Sequence, residues 1–187
     1  MDKSARVRLF FGLELPEPVK QRLLSVQRPV EGARWQRADQ LHLTLVFLGS
    51  VEAQRLADVR EVARNLPLKS FELTVTGLGC FGDPDRPKNL WAGVRPMEEL
   101  AGLQSMLRQR LAFSGFALEK RAFRPHITVA RFSKEPGSVR KLLQKYQPFD
   151  GGTFLVDRFA LLESVIREQG SDYHIIERFS LVGPERH

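Results

Sequence analysis

Cysteine is almost absent from this sequence. Cys80 is the only cysteine in 187 residues, so a disulfide framework and a cage of thiolate metal ligands are both excluded. No apolar run approaches the roughly 18 residues that a membrane-spanning helix needs. The N-terminal segment MDKSARVRLFFGLELPEPVK lacks a small-residue cleavage site, and we expect it to contain a first strand instead of a signal peptide. A cytoplasmic protein is the simplest interpretation.

Acidic residues are outnumbered, since 22 Asp and Glu accompany 29 Lys and Arg and leave a formal charge of +7. A positive excess favours partners that carry phosphate, although charge by itself does not separate nucleic-acid binders from other basic proteins. Linkers rich in Gly or Ser and low-complexity tracts are also missing. The chain is long enough to bury a real core, either as one large domain or as two closely associated lobes.

The spacing of apolar residues alternates between the periods of strands and helices. Strands are predicted over residues 6–15, 42–48, 69–78, 90–94, 126–132, 153–163 and 172–182. Helices are predicted from apolar stripes over residues 19–30, 51–66, 100–111 and 139–146. The segment FGDPDRPKN (81–89) is predicted to be a loop because it is rich in turn-forming residues. Mixed elements with hairpins indicate an α+β fold.

Two predicted strands begin with the same pattern, HLTL from His42 and HITV from His126. Side chains at positions i and i+2 of a strand share a face, so each histidine projects with the threonine that follows it, Thr44 or Thr128. The intervening apolar residues, including Leu43, Leu45 and Phe47 in the first strand and Ile127 and Val129 in the second, are expected to face the core. The chain has only five threonines, and two of them lie two positions after a histidine.

If the two strands face one cleft, the paired tetrads suit in-line displacement at phosphorus. One imidazole removes a proton from the attacking oxygen, and the other delivers a proton to the leaving oxygen, because histidine titrates near neutrality. The threonine hydroxyls can donate hydrogen bonds to the phosphate oxygens on which negative charge grows. Such an arrangement requires no metal and no cofactor. The residues alone do not determine which histidine is the acid and which is the base.

Other interpretations of these residues compete with the catalytic one. A single strand histidine is more often a structural or edge residue, and threonine is common in strands. A metal site lacks further ligands at characteristic spacing, and a serine hydrolase lacks the G-x-S-x-G elbow. His174 and His187 have no following threonine, and we expect neither to take part.

Basic and aromatic residues near the tetrads are candidates for substrate contacts. Arg34 and Arg37 precede the first tetrad, whereas the second is surrounded by Lys120, Arg121, Arg124, Arg131 and Lys134. Most of these side chains are expected to be solvated at the protein surface. Arg131, near the end of the predicted strand, is the predicted phosphate contact. Phe10 and Trp91 lie opposite the main apolar sets of their strands, and either is a candidate for stacking a nucleobase, although packing is the commoner role.

Five segments carry a resemblance to a known family: RLFFGLELP, LHLTLVFLG, GCFGDPDRPKNLWAGV, FRPHITVAR and ALLESVIREQGSDYHIIERFSL. In these segments, across nearly the whole chain, the sequence resembles the bacterial and archaeal RNA 2',3'-cyclic phosphodiesterases. That family, historically called 2'-5' RNA ligases, is a branch of the two-histidine phosphoesterase superfamily. The resemblance implies that residues 1–187 form a single bilobal, pseudo-twofold symmetric α+β domain. Two antiparallel-rich sheets would then line a central cleft, with the helices outside.

The resemblance also implies an activity and a role for each tetrad residue. The expected reaction is metal-independent hydrolysis of an RNA 2',3'-cyclic phosphate end to a 2'-phosphomonoester. His42 would donate a proton to the departing 3' oxygen, and His126 would activate water. Thr44 and Thr128 would hold the phosphate oxygens. Joining of tRNA halves through a 2'-5' linkage, the other chemistry of the family, cannot be separated from hydrolysis by sequence.

Two further functions remain open at this point. One is a noncatalytic module that binds RNA ends or nucleotides, which two intact histidines argue against. The other is a phosphodiesterase that acts on a small nucleotide, such as a 2'-5' oligoadenylate or an ADP-ribose cyclic phosphate. The basic surroundings favour RNA as the partner. No membrane or protein partner is expected, and a monomer is predicted.

Overall fold

The computed structural model describes residues 5–183. Its strands are β1 (Arg6–Glu14), β2 (Ala33–Trp35), β3 (His42–Glu52), β4 (Phe71–Asp83), β5 (Arg86–Arg95), β6 (Ile127–Phe132), β7 (Asp150–Val156), β8 (Arg158–Arg167) and β9 (Gly170–Ser180). Its α-helices are α1 (Glu17–Leu24), α2 (Leu56–Val62), α3 (Met97–Phe113) and α4 (Arg140–Lys145). Single turns of 3₁₀ helix cover Ala38–Gln40 and Ala53–Arg55. Within residues 5–183, none of the helices has the length and hydropathy needed to cross a membrane.

The strands form two antiparallel sheets. The first sheet has the order β3-β1-β8-β9, and the second has the order β2-β6-β5-β4-β7. The strands that carry the two tetrads, β3 and β6, contact each other where the sheets adjoin. The α+β class and the two-sheet architecture predicted from the sequence are therefore confirmed, and the sheet order brings both tetrads to one cleft.

Apolar side chains from both sheets and from the helices form one continuous core. The clearest contribution comes from α3, in which Leu100, Leu103, Leu107 and Leu111 are fully buried. Their spacing is that of a helix with one face on the core, as the sequence predicts. In β1, Leu9, Phe11 and Leu13 are buried in the same core. The core thus fixes the two sheets relative to each other beneath the cleft.

The structure corrects the sequence prediction at two places in the strands. The segment predicted as one strand over 153–163 is divided between β7 and β8, which belong to different sheets. The predicted loop over 81–89 is instead a hairpin, in which β4 continues to Asp83 and β5 begins at Arg86. The loop prediction fails because turn-forming residues mark a turn without showing how far the strand pairing continues on either side of it. The division of the 153–163 segment has no such marker, because both of its parts are ordinary strands.

Two helices are shorter than their apolar stripes. Of the predicted 51–66 stripe, Val51 belongs to β3 and Leu66 follows α2, although both are buried. In the same way α1 ends at Leu24, before the end of the 19–30 stripe, and Val26 is buried outside it. Burial in the core does not require helical geometry, and for that reason the stripes overestimate the helices.

Candidate active site

His42 is held by hydrogen bonds on both ring nitrogens. It opens β3, with Nδ1 2.8 Å from the main-chain oxygen of Gln40 and Nε2 2.9 Å from Oγ1 of Thr44. A carbonyl oxygen only accepts hydrogen bonds. Nδ1 of His42 therefore carries the ring proton and donates a hydrogen bond to the Gln40 oxygen. In the neutral ring Nε2 is therefore the acceptor, and the Thr44 hydroxyl donates to it. His42 and Thr44 thus share a face, as predicted.

His126 repeats this arrangement in the second sheet. It directly precedes β6, and its Nδ1 lies 2.7 Å from the main-chain oxygen of Arg124. In both tetrads Nδ1 is thus bonded to the carbonyl two residues earlier in the chain. This bond fixes the same tautomer in both rings and leaves Nε2 of each as the nitrogen able to exchange a proton with a substrate.

Aromatic rings enclose His42. The Phe10 ring lies 4.9 Å from the imidazole, and the Tyr173 ring meets it edge-on at 4.9 Å. This burial lowers the pKa of His42 to about 4, against the opposing effect of the Gln40 carbonyl. The nearby positive charge of Arg131 and the charge of His126 lower it further. His42 is therefore neutral at neutral pH before any ligand binds.

A bulge in β6 turns Arg131 toward the tetrads. Thr128 pairs with Trp91 of β5, and Arg131 pairs with Asn89, so β6 uses one residue more than β5 between the two pairs. Trp91 and Asn89 share a face of β5, and their partners share it as well. Arg131 therefore lies on the face of Thr128, although strict alternation would place it on the reverse face. Its side chain is exposed and has no ion pair among residues 5–183.

A similar bulge in β3 exposes an aromatic residue that the sequence pattern misplaces. Gly12 of β1 pairs with Thr44 and Phe10 pairs with Phe47, with Leu45 as an extra residue in β3. Phe47 therefore lies on the face of Thr44, and 47% of its surface is exposed. The prediction that Phe47 faces the core with Leu45 is wrong, because alternation was assumed to continue through the bulge.

A cavity of about 480 Å³ connects the two tetrads; we call it the cleft cavity. Thr44 and His126 line it where the sheets meet. Its remaining walls include Phe47, Phe81 and residues of α3 and of the segment 119–124. The Phe81 ring meets His126 edge-on at 5.1 Å. Phe81 is a second aromatic residue that the sequence reasoning missed, because its segment was assigned to a loop.

The two aromatic residues predicted to stack a nucleobase occupy different environments. Phe10 is only 2% exposed and packs beneath His42, so it offers no face to a base, and the prediction for it is corrected. Trp91 is partly exposed, and its ring lies 6.4 Å from His126. Gly79 makes this placement possible, because a Cβ there would meet the Trp91 ring at 2.5 Å. Base stacking by Trp91 stays a prediction.

The basic residues around the tetrads fall into two groups. Arg37 lies 3.2 Å from Asp172, and Arg121 lies 3.1 Å from Glu119, so both are engaged in ion pairs. No ion pair within residues 5–183 involves Arg34. It lies directly opposite Arg131 in the antiparallel register of β2 and β6. The unpaired cations beside the second tetrad are the ones able to meet an anionic ligand.

Of the two remaining histidines, one lies within the described residues. His174 is exposed on β9, opposite Glu163 of β8. His187 lies outside the described residues. His174 is therefore available as a control for the loss of an imidazole outside the tetrads.

The chain matches the family model of the 2'-5' RNA ligase superfamily over residues 15–165. The RNA 2',3'-cyclic phosphodiesterase of Escherichia coli (strain K12) is 31% identical to it, over 93% of this chain and 96% of the relative. The enzyme of the same name from Thermotoga maritima is also 31% identical, over 91% of this chain and 93% of the relative.

Solved structures give the same picture at the level of the fold. The crystal structure of TT0787 of Thermus thermophilus matches with a TM-score of 0.82 and 29% identity, covering 95% of this chain and 100% of that one. The crystal structure of E. coli LigT complexed with 3'-AMP matches with a TM-score of 0.77 and 29% identity, covering 95% and 99%.

Proposed function

The chain belongs to the 2'-5' RNA ligase superfamily, and from this premise we propose that it hydrolyses RNA 2',3'-cyclic phosphate ends to 2'-phosphomonoesters without a metal. It is an enzyme, and the curated relatives named above are RNA 2',3'-cyclic phosphodiesterases. The noncatalytic alternative is thereby set aside. We further propose that the substrate is RNA, that the whole chain forms one domain and that the protein is a monomer. A cytoplasmic location is also proposed, and the presence of a single cysteine supports it.

One observation carries the proposal. Two histidines on adjoining sheets have the same tautomer, fixed by the same bond to the carbonyl two residues earlier. Nε2 of His42 lies 2.9 Å from Oγ1 of Thr44, and His126 lies two residues before Thr128. A matched pair of imidazoles is what an acid and a base on opposite sides of one phosphorus atom require, whereas a binding site has no need of it.

The proposed reaction is an in-line displacement at phosphorus. Nε2 of His126 accepts a proton from water as the water oxygen bonds to phosphorus. The bond from phosphorus to the 3' oxygen breaks, and that oxygen takes a proton from Nε2 of His42, which leaves the phosphate on the 2' oxygen. Thr44, Thr128 and Arg131 donate hydrogen bonds to the other phosphate oxygens, where charge increases.

The proton on His42 has to arrive with the substrate. The pKa of His42 is lowered to about 4 in the empty cleft, chiefly by burial. An anionic phosphate beside the ring favours its charged form and raises that pKa again. The threonine hydroxyl, which donates to Nε2 of the neutral ring, then turns toward the phosphate. The cyclic phosphate thus helps to create the acid that its own cleavage requires.

The same proton transfers, with a 5'-hydroxyl in place of water, would join a 2',3'-cyclic phosphate end to that hydroxyl through a 2'-5' linkage. The ribose hydroxyl gives its proton to His126 as it bonds to phosphorus, and the departing 3' oxygen again takes its proton from His42. Ligation is therefore included in the proposal as the same displacement with a different nucleophile.

A short RNA with a 2',3'-cyclic phosphate end, incubated with the protein in excess EDTA, tests the proposal directly. We expect turnover to the 2'-phosphate, separated from the 3'-phosphate by chromatography. Replacing His42 or His126 by Ala should reduce the rate by about 10²–10⁴-fold, since each change removes one proton-transfer partner. His174→Ala serves as the matched control and should turn over like the wild type. Activity in either tetrad variant close to that of the wild type would exclude the two-histidine mechanism, and loss in EDTA would exclude metal independence.

A small nucleotide is the second candidate substrate. Crystal structures of E. coli LigT contain 3'-AMP, ATP or NADP+, so that relative accommodates small nucleotides. The same assay with a 2'-5' oligoadenylate and with ADP-ribose cyclic phosphate compares the two classes. A higher kcat/KM for either compound than for the RNA would favour the second candidate.

A further inference from the structure

Two arginines face each other beside the second tetrad. Arg34 of β2 lies opposite Arg131 of β6 in the antiparallel register, and residues in this relation share one face of a sheet. Arg34 therefore lies on the cleft face, with Arg131 and Thr128. Both arginines are exposed, and among residues 5–183 neither guanidinium has an ion pair or a side-chain hydrogen bond. Like charges in this position repel each other, so an anion bound beside them stabilises the pair.

The proposed reaction accounts for only one of these two arginines. Arg131 donates to the oxygens of the reacting phosphate, and the displacement itself requires no second arginine. A guanidinium suits phosphate well, because its planar group donates two parallel hydrogen bonds to two oxygens. Arg34 is therefore placed to bind a second phosphate of the same ligand.

A further basic cavity begins directly after Arg131; we call it the edge cavity. It has a volume of about 380 Å³ and lies between β5 and the chain that leaves β6 at Phe132. Arg86 and Lys88 of β5 line it, together with Lys134. These three side chains are exposed and have no ion pair within residues 5–183. Three positive charges around one cavity indicate an anionic ligand.

The acidic residues of this region do not neutralise the edge cavity. Asp83 and Asp85, where β4 turns into β5, lie 3.8 and 3.0 Å from the guanidinium of Arg140 in α4. Glu31 and Glu135 belong to loops beside the end of β6, and neither lines the edge cavity. The positive charge of the cavity is therefore available to a partner.

The cations follow one another outward from the second tetrad. Arg131 lies three residues after Thr128, roughly 10 Å along a strand, and the edge cavity begins at the next residue, Phe132. Arg34 lies beside this line on β2, the outermost strand of the second sheet on that side. A chain of phosphates that starts at the tetrad can thus meet one cation after another until it leaves the sheet.

We propose that the RNA strand on the 5' side of the reacting nucleotide leaves the cleft over the end of β6. One of its backbone phosphates binds to Arg34, and the following phosphates bind in the edge cavity. A 2',3'-cyclic phosphate is the 3' end of its strand, so the rest of the RNA lies wholly on the 5' side. Phosphate contacts position the strand and read no base. The inference rests on the proposed function, because the path starts at the reacting phosphate.

Substrate length separates this path from the reacting phosphate. Adenosine 2',3'-cyclic phosphate has no further phosphate, whereas an RNA tetranucleotide that ends in the same group has three. Arg34→Gln should raise KM for the tetranucleotide several-fold and leave kcat and KM for the mononucleotide at their wild-type values. The double variant Lys88→Gln/Lys134→Gln should behave in the same way. Unchanged turnover of the mononucleotide also shows that the fold and the reacting groups are intact.

Salt dependence measures the number of phosphate contacts that each variant loses. Binding to a single strand releases condensed counterions, so the slope of log(kcat/KM) against log[salt] is about −0.7 for each neutralised phosphate. With the tetranucleotide, Arg34→Gln should make this slope shallower by about 0.7, and the double variant should do so by about 1.4. With the mononucleotide, every variant should keep the wild-type slope.

Lys69→Gln is the matched control. Lys69 is exposed, has no ion pair within residues 5–183 and precedes β4 at the end of that strand away from the hairpin. It should match the wild type with both substrates, and an equal change there would overturn the inference, since net charge would then explain the effect. Equal losses with both substrates in Arg34→Gln would also overturn it, because Arg34 would then contact the reacting phosphate. An unchanged slope in the double variant would exclude the edge cavity.

Failure of the proposed function gives a separate result. In that case the wild type turns over neither substrate, and fluorescence anisotropy with a labelled tetranucleotide that ends in a 2'-phosphate replaces kinetics. A shallower salt slope of binding in Arg34→Gln and in the double variant, but not in Lys69→Gln, would support the path. The same slope in all four proteins would exclude it.

Discussion

His42 and His126 have the same local hydrogen bond and different surroundings. Each Nδ1 is bonded to the carbonyl two residues earlier. The rings of Phe10 and Tyr173 both lie 4.9 Å from His42, whereas those of Phe81 and Trp91 lie 5.1 and 6.4 Å from His126. His126 instead borders the cleft cavity, with the edge of Phe81 beside it. Groups of one chemical type take different roles when their environments differ in this way. The proposed roles of His42 as acid and His126 as base can therefore be tested by replacing one histidine at a time.

The lowered pKa of His42 predicts a specific acid sensitivity of the fold. The folded protein holds the pKa of His42 near 4, below its ordinary value of 6.5, chiefly by burial of the ring. The unfolded chain then binds this proton more readily, so the contribution to stability is present above about pH 6.5 and is lost as the pH falls toward 4. Between pH 7 and 4.5 the wild type should lose about 2 kcal/mol more than His42→Gln.

Urea denaturation of the two proteins at both pH values measures this difference. Carboxylates titrate in the same range, but their contribution is common to both proteins and cancels. His174→Gln should keep the pH dependence of the wild type, because that histidine is exposed. If His42→Gln lost stability as steeply as the wild type, the His42 ring would not be buried in a neutral form.

At the scale of elements, the hairpin of β8 and β9 supports His42 from outside its own strand. The buried side chain of Gln40 donates to the main-chain oxygen of Ser171 at 3.0 Å and accepts from the backbone N–H of Arg37 at 2.9 Å. The main-chain oxygen of Gln40 is the acceptor for His42. Tyr173, two residues after Ser171, contributes the ring that covers the imidazole. The hairpin therefore holds the Gln40 carbonyl that binds Nδ1 of His42, and it covers the imidazole with the ring of Tyr173.

Gln40→Ala should loosen this arrangement without removing a reacting group. It removes two partly buried hydrogen bonds, to the Ser171 carbonyl and from the Arg37 N–H, each worth about 0.5–1.5 kcal/mol, so the free energy of unfolding should fall by about 1–3 kcal/mol. We also expect the ¹⁵N chemical shifts of His42 to move toward a mixture of tautomers. His126 is the internal control, because the Arg124 carbonyl holds it in the other sheet. Unchanged ¹⁵N shifts of His42 would mean that the carbonyl stays in place without the Gln40 side chain.

The elements also show how far the sequence predicts the site. The period-2 pattern correctly places Thr44 with His42, because no bulge lies between them. It fails at Phe47 and gives no reason to place Arg131 on the cleft face, because each follows a bulge. A bulge is determined by the pairing of a strand with its neighbour, and a single strand contains no record of that register.

At the scale of the whole molecule, the sequence predicts the class of fold better than the assignment of strands to sheets. Alternation and helical spacing identify most elements, including α3 with its four buried leucines. The division of the 153–163 segment between two sheets has no local signal, because both β7 and β8 are ordinary strands. Only the packing of the complete chain determines that the sheets adjoin at β3 and β6.

The continuous core predicts that both sheets unfold together. Leu103 of α3 is fully buried in the core that contains residues of both sheets. Leu103→Ala should lower the free energy of unfolding by about 2–5 kcal/mol. The fluorescence of Trp35 and Trp91, both in the second sheet, should follow the same urea transition as far-ultraviolet circular dichroism, which reports on all elements. Separate transitions in the two signals would divide the chain into two domains.

The single thiol of the chain gives the native protein a unique attachment point. Cys80 lies on β4 directly before Phe81, so the two side chains leave opposite faces of the strand. Burial raises the pKa of the Cys80 thiol, and labelling with a maleimide would therefore proceed faster at mildly alkaline pH. A spin label or fluorophore on Cys80 would report movement of the cleft wall from its outer side, without any engineered substitution and without entering the cleft cavity.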